Sequence, residues 1–167
     1  AQEIAQSLGR NRSGEKAIIV GHSFGGGVAV RLAIDFSSQV ESLLLLAPTL
    51  SPYLESLNWY YDLGAHPLIR KFLPRSLAAS VDESVGLSSE LRVLCEDAAD
   101  LRTRVLYVHG REDGVVKIAT LRTAKRIFKN SRFEYRVIYD LGHEIPDSRP
   151  DLVTEGIHRL HSLRAAK

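Results

Sequence analysis

Apolar and polar positions come in alternating blocks along this chain, and the blocks read as strands and helices taking turns. Ala17-Ile18-Ile19-Val20 is apolar at every position, as a strand buried on both faces must be, and it predicts a strand over 16–21. Leu43-Leu44-Leu45-Leu46 predicts a second over 42–47, and Val105-Leu106-Tyr107-Val108 a third over 104–109. From Phe133 to Tyr139 the pattern alternates with period two, which predicts a fourth over 133–139. Helical spacing fills the gaps. Ile4 and Leu8 predict a helix over about 1–9, and Val28 to Ile34 predict one over about 25–37. Ile118, Leu121, Ala124 and Phe128 mark one face of a helix over about 116–129, and Pro150 opens a last one over about 150–165. Strands alternating with helices predict an α/β class: a mostly parallel sheet covered by helices on both faces. The stretch 50–100 breaks this alternation. Its breakers Pro52, Gly64, Pro67, Pro74 and Gly86 predict an irregular helical insert, which divides the chain into core (1–49), insert (50–100) and core (101–167) of one structural domain.

Composition narrows the partners. The 167 residues are 44% hydrophobic and 25% charged, enough to bury a core, and the net charge of +2 gives no footing for nucleic acid. The basic residues Arg122, Lys125, Arg126 and Lys129 fall opposite the apolar stripe of the 116–129 helix, so they read as its wet face. Glu155, His158 and His161 have helical spacing and read as another solvated face, with no metal site implied. The single cysteine, Cys95, excludes an internal disulfide and points to a reducing compartment or to no requirement at all, which favours the cytoplasm and leaves the localisation open. No segment reaches the ~18 apolar residues of a membrane span. The chain starts at Ala1 and has no methionine, so it reads as part of a longer protein whose true amino terminus is not in view.

The candidate chemistry starts at Gly21-His22-Ser23-Phe24-Gly25. It joins the first predicted strand to the second predicted helix. The Gly-x-Ser-x-Gly spacing is that of a nucleophile elbow, in which a serine on a sharp strand-to-helix turn takes a strained backbone and exposes its hydroxyl. Side chains at either Gly21 or Gly25 are expected to collide across the bend. Gly25-Gly26-Gly27 would cost a helix about 1 kcal/mol per glycine, so close packing is expected there. A nucleophilic serine needs a base, and the base needs an acid to orient it. The third strand ends in Gly110-Arg111-Glu112-Asp113-Gly114, and the fourth leads into Asp140-Leu141-Gly142-His143. In a parallel sheet these carboxyl-terminal loops gather at one edge, so Ser23, Asp113 and His143 can meet. Glu112 and Asp140 are rival acids, although Asp140 stands so near His143 that it reads as shaping the turn. No carboxylate follows the second strand until Glu55. Rival bases are His22, His66, His109, His158 and His161, of which His22 is the spacer inside the elbow and His109 ends a strand.

Through Gly21-His22-Ser23-Phe24-Gly25-Gly26, His109-Gly110-Arg111-Glu112-Asp113 and Leu141-Gly142-His143, in the order Ser, Asp, His, the chain resembles the α/β-hydrolases over nearly its whole length. The resemblance implies a serine hydrolase with Ser23 as nucleophile, His143 as base and Asp113 as acid, no cofactor, and an apolar small-molecule acyl substrate, foremost a carboxylic ester with a medium-sized apolar group, with thioesters, activated amides, carbon–carbon bonds and peracid formation left open. It implies one oxyanion donor in the Phe24 backbone N–H and a second upstream of Ala1. It also implies a cap at 50–100, where Trp59, Tyr60, Tyr61 and Phe72 are candidates to line a substrate pocket or to cement the insert to the sheet. In that family the elbow strand is interior, so a chain starting at Ala1 is expected to expose strand 16–21 as an edge and to self-associate through it. The alternative reading is a non-catalytic α/β-hydrolase-fold fragment that acts as a binding or interaction module.

Overall fold

The computed structural model describes residues 15–52 and 87–163. Four strands, β1 (Ala17–His22), β2 (Val40–Leu46), β3 (Arg104–Gly110) and β4 (Phe133–Ile138), form one parallel sheet in the order β1-β2-β3-β4. All four predicted strands are therefore present, displaced by two residues at most. Helix α1 (Phe24–Asp35) links β1 to β2. After the undescribed stretch come helix α2 (87–97) and a 3₁₀ turn (Ala98–Asp100), then β3. Helix α3 (Thr120–Ile127) precedes β4, and α4 (Ile145–Ser148) and α5 (Pro150–Ser162) close the described chain. The predicted helix over 1–9 and most of the insert lie outside the described residues.

The period of two along the central strands sorts their side chains into two cores. Leu43 and Leu45 of β2, with Val105 and Tyr107 of β3, pack toward Ala29, Val30 and Ala33 of α1, Leu91 and Leu94 of α2, and Ala124 and Ile127 of α3. Leu44, Leu46, Leu106 and Val108 face the other way, onto Leu141, Ile145, and Leu152 and Leu160 of α5. Each fully buried leucine contributes about 1.5–3 kcal/mol of transfer free energy, so β2 is the spine of the domain. The two outer strands are only half covered: Val20 of β1 and Tyr135 of β4 are 41% and 48% exposed. On α3 the basic residues are exposed and Ala124 and Phe128 buried, as the pattern predicts.

One helix start and one short helix differ from expectation. Residues 116–119 are not yet α-helical: Lys117–Thr120 and Ile118–Leu121 close i→i+3 bonds, so the chain leaves the preceding loop through a tight turn before α3 begins. Helix α4 was not foreseen, because one turn of four residues carries no periodicity to read.

Candidate active site

The elbow is visible in the backbone. Ser23 has φ 54° and ψ −127°, a region that non-glycine residues avoid, and it sits as the N-cap of α1 between β1 and Phe24. The bend is held from outside the turn. The Ser23 N–H donates to the Leu46 carbonyl at 3.0 Å, and the Ser23 carbonyl accepts from Thr49 N–H at 3.0 Å. A Cβ at Gly21 would lie 2.5 Å from the Gly25 carbonyl oxygen and 2.8 Å from the Ala29 Cβ, so nothing larger than hydrogen fits there. At Gly25 the expectation of a collision is wrong. A Cβ there meets nothing within 4 Å, because the crowding is between Gly21 and the Gly25 backbone rather than beside the Gly25 Cα. Gly26 does have the close neighbour expected of the glycine run, Pro48.

Ser23 follows β1, Asp113 follows β3 and His143 follows β4, so all three stand at the carboxyl edge of the sheet. The Ser23 hydroxyl donates to His143 Nε2 at 3.0 Å, and His143 Nδ1–H donates to Asp113 Oδ2 at 2.8 Å. A carboxylate can only accept, which assigns the proton to Nδ1 and leaves Nε2 free to accept from the serine. The Asp113 side chain is fully buried, and its Oδ1 accepts the backbone N–H groups of Val115 and Val116, both at 2.8 Å. The rival acids Glu112 and Asp140 are exposed. Among the rival bases, His158 and His161 are exposed on α5, and His66 lies outside the described residues.

The Asp113 and His143 loops are sewn to each other. Arg111 N–H donates to the Ile138 carbonyl at 2.8 Å and Glu112 N–H to the Leu141 carbonyl at 3.0 Å. A Cβ at Gly110 would fall 2.1 Å from the Leu141 oxygen and 2.4 Å from the Gly142 oxygen, so glycine is what lets the end of β3 slide beneath the His143 loop.

Two histidines have roles that the sequence pattern did not reveal. His22 Nε2–H donates to the His143 backbone carbonyl at 3.0 Å and its ring leans on the His143 ring at 4.9 Å, which clasps the base loop to the elbow. His109 is fully buried and meets Asp113 Oδ2 at 3.3 Å. The signal was present but faint: Tyr and His two apart on a buried strand share a face, and Asp113 follows four residues later.

As the first residue of α1, Phe24 has a backbone N–H without an intrahelical acceptor, while its side chain is 60% exposed. Trp59, Tyr60, Tyr61 and Phe72 lie outside the described residues. A cleft of about 730 Å³ lies at the opposite, amino-terminal edge of the sheet, lined by Lys16, Val40, Glu41 and Thr103 among others, and includes neither Ser23, Asp113 nor His143. Among the described residues no group of three or more His, Cys, Asp or Glu could hold a metal ion, and no helix is long and apolar enough to cross a membrane.

With this geometry the family can be stated. The alpha/beta hydrolase family profile matches residues 1–155, and the chain belongs to that family. It is similar to a curated Mycoplasma genitalium protein named as an esterase/lipase, 27% identical over 173 residues, covering 84% of this chain and 65% of that protein. The chain thus spans about two thirds of the length of this relative. Among solved structures it resembles a variant of the meta-cleavage product hydrolase CumD of Pseudomonas fluorescens, at 25% identity and TM-score 0.56, covering 90% of this chain and 66% of the other. The monoacylglycerol lipase of Paleococcus ferrophilus shares the fold at 15% identity and TM-score 0.64, covering 99% and 74%.

Proposed function

We propose that this chain carries the catalytic machinery of a serine hydrolase acting on a carboxylic ester with a medium-sized apolar group. The observation that carries the reading is the continuous hydrogen-bonded chain from Ser23 through His143 to the buried Asp113, ending on a serine with a strained backbone. In this reading Ser23 Oγ attacks the ester carbonyl as His143 Nε2 takes its proton. The Phe24 N–H receives the developing oxyanion. His143 returns the proton to the departing alcohol, leaving an acyl-enzyme on Ser23, and then activates the water that clears it. Asp113 keeps His143 in the working tautomer and stabilises its cation. The name of the Mycoplasma relative, an esterase/lipase, supports the ester as substrate. The same machinery serves thioesters, activated amides, carbon–carbon bonds and peracid formation. We propose that the part of the insert before α2 supplies a cap, with Trp59, Tyr60, Tyr61 and Phe72 lining the acyl pocket, whereas α2 and the 3₁₀ turn belong to the core.

The test is active-site labelling. A fluorophosphonate probe should modify Ser23, and Ser23→Ala should abolish both the label and the turnover of nitrophenyl esters. Label persisting on another serine, such as Ser51 or Ser148, overturns the assignment and favours the non-catalytic alternative for this site.

A further inference from the structure

His109 is a buried imidazole to which the hydrolytic reading gives no task. It stands at the end of β3, two residues after Tyr107 and on the same face of the sheet, and both side chains are fully buried. Burying an imidazole and a phenol is costly unless each polar atom finds a partner. Here each does. His109 Nε2 lies 3.0 Å from the Val116 carbonyl oxygen and 3.3 Å from Asp113 Oδ2, and Nδ1 lies 2.6 Å from the Tyr107 hydroxyl. Both partners of Nε2 can only accept, so Nε2 carries the proton and Nδ1 takes one from Tyr107. The protonation states agree with this. Burial holds the His109 pKa below its ordinary value against the opposing pull of the Val116 carbonyl and Asp113, and burial pushes that of Tyr107 up. The titratable groups that face His109 are Tyr107, Asp113 and His143.

Val116 is gripped twice. Its N–H binds Asp113 Oδ1 and its carbonyl accepts from His109, so the imidazole closes a ring around the acid loop. We propose, resting on the reading of Ser23, His143 and Asp113 above, that His109 is a positioning residue for Asp113, with Tyr107 selecting the tautomer that lets it act. By donating to the Val116 carbonyl, the His109 N–H fixes the residue whose own N–H holds Asp113 Oδ1, and at 3.3 Å it lies beside Oδ2, so the carboxylate stays directed at His143 Nδ1. Without it the carboxylate swings more freely, so the imidazolium of the transition state is less well supported.

The experiment is the pH dependence of fluorophosphonate inactivation of the full chain, which requires no knowledge of the natural substrate. His109→Leu should lower kinact about ten- to a hundredfold with KI unchanged, the size of the penalty for leaving a buried acceptor without its donor, and should move the acid limb of kinact/KI to lower pH. His109→Gln, whose amide nitrogen reaches near the position of Nε2, should recover most of the rate and return the limb. Tyr107→Phe should shift both in the same direction as His109→Leu, by less. Wild-type kinact and limb in His109→Leu overturn the proposal, as does an equal loss in the Leu and Gln variants with the limb unmoved. If His109→Leu does not fold, an unchanged kinact and limb in Tyr107→Phe overturn it instead. Wild-type label at Ser23 with unmoved variants sinks this inference alone. No label on Ser23 sinks the hydrolytic reading and this inference with it.

Discussion

Glycine at Gly21, Gly25 and Gly110 looks equivalent in the sequence, and the structure separates them by what lies beside each Cα. At Gly21 and Gly110 the space is taken by backbone, which cannot move without reshaping the elbow or lifting the His143 loop. Gly21→Ala and Gly110→Ala should therefore each lower the proposed ester turnover by more than about a hundredfold, since a displacement near 1 Å at reacting groups has that effect. Gly25→Ala meets open space near the start of a helix, where alanine is favoured over glycine by up to about 1 kcal/mol. Its melting temperature should be unchanged or slightly raised. A kinetic and thermal comparison of the three variants checks this directly. The Asp113 assignment makes a companion prediction. Asp113→Asn should fold normally yet lose up to about 10⁴-fold in turnover, the size seen when a triad histidine is left in the wrong tautomer, whereas Asp140→Asn and Glu112→Gln should stay close to wild type.

The loops at the carboxyl ends of β1, β3 and β4 act as one assembly, because hydrogen bonds join each to the next. His22 ties the elbow to the base loop, and Glu112 ties the acid loop to the same place. His22→Leu should reduce kcat about tenfold with little change in KM, since the lost bond positions His143 without touching substrate. Within β3 the buried His109 makes stability depend on pH. Unfolded, its imidazole gains a proton as pH falls below about 6.5, whereas in the folded protein burial holds it neutral to lower pH. The unfolded chain then binds more protons in that window. The contribution of His109 is therefore complete above about pH 6.5 and is lost as pH falls from there toward the folded value. Melting curves between about pH 7.5 and 5 should fall more steeply for wild type than for His109→Gln.

Across the whole molecule the sheet is covered on both faces yet uneven along its width. Among the described residues β1 is bonded on one side only, to β2, and its Val20 is 41% exposed. Strand edges of this kind, apolar and free of proline, template pairing with other chains. We expect this chain on its own to self-associate through β1, and Val20→Lys to shift light scattering toward the monomer. A monomer at every concentration tested, with or without the lysine, would rule this out. The proposed cap makes a separate prediction. Trp59→Ala and Tyr60→Ala should alter discrimination across a series of ester chain lengths by about 1–3 kcal/mol per methylene-sized mismatch, with melting temperature little changed. A uniform loss of rate with a large fall in melting temperature would instead make these aromatics structural.

By itself the sequence determined the four strands and their alternation with the main helices, the sheet covered on both faces and the elbow, because periodicity and turn chemistry are local properties of neighbouring residues. It also nominated Ser23, Asp113 and His143, since a parallel sheet sends its loops to one edge whatever the register. Only the tertiary structure decided which glycines are crowded, that α3 starts late, and that His22 and His109 reach across to other loops. Those outcomes depend on strand register and on the ångström-level approach of segments up to 121 residues apart. His109 illustrates the difference. In the sequence it was a rival base that ended a strand, and only the packing of β3 against the Asp113 loop set that buried ring on the Val116 carbonyl, 3.3 Å from the carboxylate.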